Sequence, residues 1–308
     1  MHTPSRRQFL QSALCAAAAS LAPLPAFGAQ HRTPLGFSLY GMKNLPLDDA
    51  LRICSETGYS NVELALNPGY PTEPKLLDAA AREKLRQRLK ETNLEVSALM
   101  LNISLLANES TQAANLQSIA DAAQLSLDLA PTKPPVIETV LGGKPAEWET
   151  LKDRMAGSLR SWAETAEAHR AVICLKAHVN NAVNSPERLL WLLEKAGSPA
   201  IQVAYDYSHF QLEGIPLEQS LNALLPHTRF VHVKDSTGAL PNFHFVLPGE
   251  GQTDYPAYFK LLQQHGYAGP IVVEVSAQVF NQPGYDPVAA AKKCQASLAA
   301  ALTQAGLG

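Results

Sequence analysis

Acidic, histidine and lysine side chains follow short apolar runs in this chain, where they could bind a metal or transfer a proton. The runs that show this most clearly contain Glu138, then Lys176 and His178, then Asp206 and His209, then His232, Lys234 and Asp235, and finally Glu274. Side chains alternate along a strand, so Lys176 and His178 share one face of their strand. Ionised groups are costly in the apolar layer between a sheet and its helices, and we therefore expect them to converge on one open site.

Eight apolar runs alternate with eight helix-like segments. The predicted strands are 35–42, 61–66, 95–102, 135–141, 171–178, 201–208, 230–235 and 270–276. The predicted helices are 47–58, 78–92, 112–129, 146–169, 186–196, 217–225, 255–265 and 287–303. Nearly continuous apolar strands are typical of parallel strands buried on both faces, and eight strand–helix pairs favour a closed barrel. The sequence predicts a single (β/α)8 TIM barrel over residues 33–308, with the site at the carboxyl ends of the strands and segment 236–252 as a candidate lid or substrate wall.

Residues 1–28 differ in character from the rest of the chain. The run Ser5-Arg6-Arg7-Gln8-Phe9-Leu10 resembles a twin-arginine export signal, and an alanine-rich stretch and small residues near Gly28 follow it. The apolar stretch is shorter than the roughly 20 residues that cross a bilayer. We expect a signal peptide outside the fold, recognised by the twin-arginine export machinery, and a periplasmic protein without a stable membrane anchor.

Composition and charge exclude several classes of protein. Hydrophobic residues make up 46% of the chain, which is enough for a packed core, and the formal net charge is −3. Because there is no dense stripe of lysine and arginine, the sequence does not indicate a nucleic-acid partner. No Gly-x-Gly-x-x-Gly follows a predicted strand, so a dinucleotide site is not supported. The expected partner is a small molecule, and the sequence leaves the oligomeric state open.

Four segments occur together in the order and spacing of one known family. They are Asp206-Tyr207-Ser208-His209, His232-Val233-Lys234-Asp235, Pro248-Gly249-Glu250-Gly251 and Gly269-Pro270-Ile271-Val272-Val273-Glu274. In these segments the chain resembles the xylose-isomerase-like TIM barrels, the sugar isomerase and epimerase superfamily, and the resemblance extends over residues 35–305. It implies that Asp206, His232 and Glu274 bind a divalent metal and that His209 contacts the substrate or the metal.

One position departs from that family. The resemblance implies a glutamate at the end of the fifth strand, as metal ligand and acid–base group, but this chain has Lys176 there. Either Glu138 or His178 completes the ligand set, or the metal is lost and Lys176 supplies the positive charge instead. Lys176 could also be an ion-pair partner of Asp206 or Glu138. If a metal is bound, these oxygen and nitrogen ligands suit Mn, Zn, Co or Mg.

The function that the resemblance implies is proton transfer on a carbohydrate. A metal would polarise a carbonyl, and a base would remove the neighbouring proton to give an enediolate. The candidate bases are Glu274, Lys176 and His178. The predicted export and the lack of an arginine cluster favour an unphosphorylated sugar, so we expect a metal-dependent sugar isomerase or epimerase. The residues expected to contact the substrate are His209, Lys234, Asp235, Glu63 and His244.

Two other functions fit the same residues. If the carbonyl lies at C3 of a glycoside, the enolate could expel the aglycone, which would make the protein a periplasmic 3-keto-glycoside lyase. Such a lyase would tolerate Lys176 in place of the family glutamate more easily than a two-base epimerase would. The second alternative is a non-catalytic sugar-binding barrel, which Lys176 favours and the other polar strand ends disfavour.

Overall fold

The structure, a computed structural model, describes residues 33–308. The predicted signal peptide and its recognition by the export machinery concern residues 1–28, which lie outside the described residues. Within residues 33–308, no helix is both long enough and apolar enough to cross a bilayer.

Eight parallel strands close into a barrel, and helices surround them. The barrel strands are β1 (Leu35–Ser38), β2 (Asn61–Ala65), β3 (Glu95–Met100), β4 (Val136–Val140), β5 (Ile173–Lys176), β6 (Ile201–Asp206), β7 (Thr228–Val233) and β10 (Ile271–Val273). The helices are α1 (Leu47–Thr57), α2 (Ala79–Glu91), α3 (Glu109–Leu129), α4 (Trp148–Ala168), α5 (Pro186–Ala196), α6 (Tyr207–Leu212), α7 (Leu217–Leu224), α8 (Tyr255–Gln264), α9 (Ala277–Phe280) and α10 (Pro287–Ala305). Hydrogen-bonded neighbours follow the order β1-β10-β7-β6-β5-β4-β3-β2, which confirms the predicted (β/α)8 barrel.

Local sequence signals set the ends of the helices. Asp78 accepts a hydrogen bond from the backbone N–H of Ala81 and so caps α2, and Ser185 caps α5 in the same way. Gly58 and Gly197 end α1 and α5 in the left-handed region, at φ 95° and 62°, where a residue without Cβ pays no steric cost. The chain therefore leaves each of these helices at a defined point and returns to the barrel wall.

An apolar plug fills the barrel interior. It consists of Ala98, Cys174, Ala204, Phe230 and Val272, and each is no more than 1% exposed. Because the side-chain period of a strand is two, the residue two positions later points into the same interior. At that next level four side chains are polar, namely Lys176 on β5, Asp206 on β6, His232 on β7 and Glu274 directly after β10, and the fifth, Met100 on β3, is apolar. The plug thus closes the barrel below a polar level, as the strand parity predicts.

All eight barrel strands end earlier than predicted, and in two of them a side chain at the strand end starts the next turn. β1 ends at Ser38, whose hydroxyl accepts a hydrogen bond from the backbone N–H of Tyr40 (3.3 Å), and a 3-10 turn follows. β6 ends at Asp206, whose carboxylate accepts a hydrogen bond from the N–H of Ser208 (3.2 Å) at the start of α6. Each of these two residues is therefore both the last residue of its strand and the cap of the turn that follows.

The segment after β7, predicted as a loop, contains an antiparallel hairpin of β8 (Asp235–Ala239) and β9 (Asn242–Val246). Phe245 of β9 is buried against Val179 and Leu212, which follow β5 and end α6. The hairpin therefore lies beside the open end of the barrel, where a substrate wall is expected.

Asp235 holds this segment together. Its carboxylate accepts hydrogen bonds from four backbone N–H groups, those of Ser236 (2.9 Å), Gly249 (3.1 Å), Gly251 (3.0 Å) and Thr253 (3.1 Å). The predicted substrate contact of Asp235 remains untested. Its four hydrogen bonds instead explain why the chain can leave β7, form the hairpin and return to α8.

Asp235→Ala is expected to lower the free energy of unfolding by roughly 3 kcal/mol or more, because four backbone N–H groups, one of them buried and three partly buried, lose their shared acceptor. Asp254→Ala is the matched control, since Asp254 caps α8 through one hydrogen bond to Ala257 (3.0 Å) and its loss costs about 1 kcal/mol. Denaturant unfolding measures both, and limited proteolysis should show new cleavage within 236–252 in Asp235→Ala alone. Equal losses in the two variants would contradict this role.

Candidate active site at the carboxyl ends of the strands

Seven polar side chains meet at the open end of the barrel, and none is more than 7% exposed. They are Glu63 of β2, Glu138 of β4, Lys176 of β5, Asp206 of β6, His232 of β7, and Lys234 and Glu274, which directly follow β7 and β10. Burial of so many charges is tolerated only when they are paired with opposite charges or hydrogen bonded. We call this set the polar cluster.

His232 lies between an acid and a lysine. Its Nε2 is 2.9 Å from Oε2 of Glu63, and its Nδ1 is 3.1 Å from Nζ of Lys176. A lysine ammonium only donates, so Nδ1 must be the acceptor and the ring proton is on Nε2, where Glu63 accepts it. Glu63, one of the residues expected to contact the substrate, orients this imidazole, and its contact with a substrate stays a prediction.

Lys176 lies at the centre of the polar cluster. Its Nζ is 3.0 Å from Oε1 of Glu138, 3.2 Å from Oε2 of Glu274 and 3.1 Å from Nδ1 of His232. Burial alone would lower the pKa of Lys176, but Glu138 and Glu274 outweigh burial and raise it. A role as a base would require a depressed pKa. The pKa of Lys176 is instead raised, so Lys176 is a cation.

Lys234 pairs with the two acids on the other side. Its Nζ is 2.6 Å from Oε2 of Glu274 and 2.9 Å from Oδ2 of Asp206, and it lies 4.9 Å from the ring centre of Phe245. Burial would raise the pKa of Glu274, yet Lys176 and Lys234 hold it well below its usual range. Burial also opposes ionisation of Asp206, and Lys234 with His209 lowers its pKa well below the usual value. Both carboxylates are therefore ionised and paired with ammonium groups.

His178 and His209 stack at the edge of the polar cluster, with ring centres 4.0 Å apart. His209 is buried, and its Nδ1 accepts a hydrogen bond from the N–H of Val179 (3.2 Å), which leaves the proton on Nε2, 3.4 Å from Oδ2 of Asp206. His178 is only partly buried, and its Nδ1 lies 2.6 Å from the carbonyl oxygen of Val179. Burial and then Lys234 lower the pKa of His178 to about 4, so its imidazole is neutral at pH 7.

The structure does not bring every predicted site residue into the polar cluster. Asp235 is taken up by the four backbone N–H groups described above. His244 is exposed on β9, opposite Thr237 of β8, and points away from the buried charges. The predicted contacts of these two residues with a substrate stay predictions.

Aromatic residues that the sequence reasoning missed form another wall of the open end. Tyr40 stacks on Tyr70 with ring centres 5.6 Å apart and meets Phe280 edge-on at 5.0 Å. Burial and the charge of Glu274 raise the pKa of Tyr40, which places its phenol beside the polar cluster. The sequence prediction assigned Tyr40 to strand 1, and only the early end of β1 turns it towards the site.

Within residues 33–308, two groups of side chains have donor atoms close enough together to hold a metal ion. They are Glu63, Glu138 and His232, and Asp206, His232 and Glu274. The second group is the ligand set that the family resemblance implies, and its donor types suit a divalent metal. However, Oδ2 of Asp206, Nδ1 of His232 and Oε2 of Glu274 each lie within 3.2 Å of the Nζ atom of Lys176 or Lys234. The residues present therefore do not fit a metal among these three ligands while both lysines hold their positions.

Comparisons with known proteins agree with the barrel geometry. A family model described as xylose isomerase-like TIM barrel matches residues 51–300. Among curated proteins, the L-ribulose-5-phosphate 3-epimerase UlaE of Escherichia coli (strain SE11) is 23% identical over 269 residues, which cover 84% of this chain and 91% of that protein. Relatives of the chain thus include a sugar epimerase.

Two solved structures share the fold. The apo 3-keto-D-glucoside 4-epimerase YcjR from E. coli has a TM-score of 0.69 and 18% identity, and the match covers 88% of this chain and 100% of that one. A xylose isomerase-like TIM barrel protein from Mycobacterium smegmatis in complex with magnesium has a TM-score of 0.66 and 18% identity, over 90% and 99% of the two chains. Since the family model spans most of its length, this chain belongs to the xylose isomerase-like TIM barrel family.

Proposed function

We propose that the protein is an isomerase- or epimerase-like enzyme that removes a proton next to a carbonyl of an unphosphorylated carbohydrate. The observation that carries the proposal is the neutral, partly exposed imidazole of His178 beside the buried ammonium groups of Lys176 and Lys234. A base next to fixed positive charge is the arrangement that forms and stabilises an enolate. Membership of a family whose relatives include sugar epimerases supports the same chemistry.

His178 is the proposed base. Its Nδ1–H donates to the carbonyl of Val179, which fixes the ring and leaves the lone pair of Nε2 to accept a proton. No hydrogen-bond partner of Nε2 is found among residues 33–308. Glu274 and Lys176, the other candidate bases, are less suitable because Glu274 contacts two ammonium groups and Lys176 is itself protonated.

The walls of the site suit a sugar without phosphate. The faces of Tyr40, Tyr70 and Phe280 offer apolar surface to the C–H face of a sugar ring. The polar cluster contains no arginine, the residue that best matches a phosphate group. The twin-arginine pattern in residues 1–28 supports the periplasm as the place of action, where unphosphorylated sugars are the available substrates.

A second candidate is elimination from the same enolate. Lys176 stands where a second acid–base carboxylate is expected, and this leaves His178 as the base on one side only. One base suffices to take the C2 proton of a 3-keto-glycoside, after which the electron pair forms the C1–C2 double bond and the aglycone leaves C1. Inversion of a stereocentre also needs a proton donor on the opposite face.

Deuterium exchange tests the proposed proton abstraction. In D2O, the wild-type protein is expected to introduce deuterium at the α-carbon of a ketose or 3-keto-glycoside, as measured by NMR. His178→Gln should lower this rate by about 100-fold or more, because a general base typically contributes that much. The matched control His265→Gln, at the exposed end of α8, should leave it unchanged. Equal rates in wild type and His178→Gln would disprove the role of His178, and saturable sugar binding without exchange would favour the sugar-binding barrel.

The pH dependence of exchange tests the state of His178. A base acts only when unprotonated, and the pKa of His178 is lowered to about 4. The rate is therefore expected to stay level as the pH falls from about 8 to about 5, and to drop about tenfold per unit below about 4. An unperturbed imidazole would already lose activity below about 6.5. A midpoint near that higher value, in protein that circular dichroism shows to be folded, would contradict the assignment.

Elimination has its own measurement. With 4-nitrophenyl 3-keto-β-D-glucoside, a lyase should release 4-nitrophenolate at the rate at which the C2 proton is lost, which absorbance follows directly. His178→Gln should slow release and exchange equally, because both begin with the same proton transfer. Deuterium exchange without release of the phenolate would exclude the lyase and leave the isomerase or epimerase.

A further inference from the structure

Asp206, His232 and Glu274 are the metal ligands that the family resemblance implies. In each of them, an atom that could bind the metal contacts a lysine ammonium group instead. Lys176 Nζ contacts Nδ1 of His232 at 3.1 Å and Oε2 of Glu274 at 3.2 Å. Lys234 Nζ contacts the same Glu274 oxygen at 2.6 Å and Oδ2 of Asp206 at 2.9 Å. These separations are hydrogen-bond distances between a cation and its acceptors, and they place positive charge where a metal would otherwise lie.

Lys176 cannot leave this position without a penalty inside the barrel. It extends from β5 on the same face as Cys174 of the apolar plug, and only 2% of it is exposed. Its third partner, Glu138, is fully buried, and Lys176 is the only ammonium within salt-bridge distance of it among the described residues. Withdrawal of the lysine would leave a buried carboxylate without its counter-charge.

The two lysines differ in the hydrogen bonds that they have left. An ammonium group has three N–H donors. The ammonium of Lys176 faces three groups, because it lies at hydrogen-bond distance from Glu274 and His232 and forms an ion pair with Glu138. The ammonium of Lys234 faces two groups within residues 33–308, because it donates to Glu274 and forms an ion pair with Asp206, and at least one N–H remains for another acceptor. Lys176 is therefore suited to hold the acids in place, and Lys234 to donate to a further oxygen.

We propose that Lys176 replaces the divalent metal as the cation at the centre of the polar cluster, and that the remaining N–H of Lys234 binds the substrate carbonyl oxygen. The part played by Lys234 rests on the proposed function, whereas the part played by Lys176 does not. In the balanced step, the α-proton passes to Nε2 of His178, the C–H electron pair forms the enolate double bond, and the oxygen takes a negative charge beside Lys234.

Metal binding tests the role of Lys176 directly. After incubation with Mn²⁺ or Zn²⁺ and gel filtration, the full-length wild-type protein should carry no stoichiometric metal by elemental analysis. Calorimetric titration with either ion should show no saturable site. Lys176→Glu restores a carboxylate beside Asp206, His232 and Glu274, and should bind Mn²⁺ roughly 100-fold or more tighter than wild type. It should also unfold at a higher temperature with Mn²⁺ than without it.

Two controls separate a ligand effect from a charge effect. Lys176→Met removes the ammonium without supplying a ligand and should not gain a metal. Lys90→Glu makes the same charge change on the exposed side of α2 and should leave metal binding as in wild type. If Lys176→Glu does not fold, wild type and Lys176→Met still decide the matter, because one equivalent of metal in the wild type overturns the proposal.

The catalytic part is tested with the same deuterium exchange. Wild-type exchange should be unchanged by EDTA, and Lys234→Met should lower kcat by about 100-fold or more, as for the loss of one donor to a developing oxyanion. Exchange that requires added metal would overturn the present inference and leave the proposed function intact. If the wild type is free of metal and Lys176→Glu binds metal, the role of Lys176 is supported. If, in addition, the wild type exchanges deuterium with no sugar that is tried, the proposed function is overturned while the role of Lys176 stands.

Discussion

The ionic contact of Lys176 with Glu138 and Glu274 is the interaction on which the rest of the site depends. Four carboxylates are buried in the polar cluster, and burial of each alone would be very costly. Lys176 compensates two of them and also fixes Nδ1 of His232 as an acceptor, which in turn directs Nε2 to Glu63. Removal of any one partner would leave another charge unpaired, so these residues form one unit.

The barrel makes this unit possible because it separates an apolar level from a polar one. The plug of Ala98, Cys174, Ala204, Phe230 and Val272 closes the interior from below, and the charges lie one side-chain period above it. Each residue of the polar cluster is at most 7% exposed, so little water surrounds the charges. With little water around it, a fixed ammonium group interacts more strongly with a substrate oxygen than it would in solution.

The residues of the site could be predicted because strand parity and apolar patterning are local properties of the sequence. Lys176, Asp206, His232 and Glu274 all lie where that pattern places them. The contact between Glu63 and His232 joins residues 169 positions apart, and no local pattern indicates it. The same is true of Asp235, whose backbone N–H donors lie up to 18 positions away along the chain, and of the direction in which the pKa of Lys176 is shifted. Long-range contacts decide those features.

Charge explains how one substitution can alter the chemistry of a barrel without altering its architecture. The family resemblance implies a glutamate at the end of β5, and a carboxylate together with a divalent cation carries a single net positive charge. The ammonium of Lys176 carries the same charge at the same strand end. Asp206, His232 and Glu274 can therefore keep their positions around a lysine as they would around an ion. What the lysine cannot supply is an open coordination position, since its ammonium already faces Glu138, Glu274 and His232, and in our proposal the contact with the substrate oxygen therefore falls to Lys234.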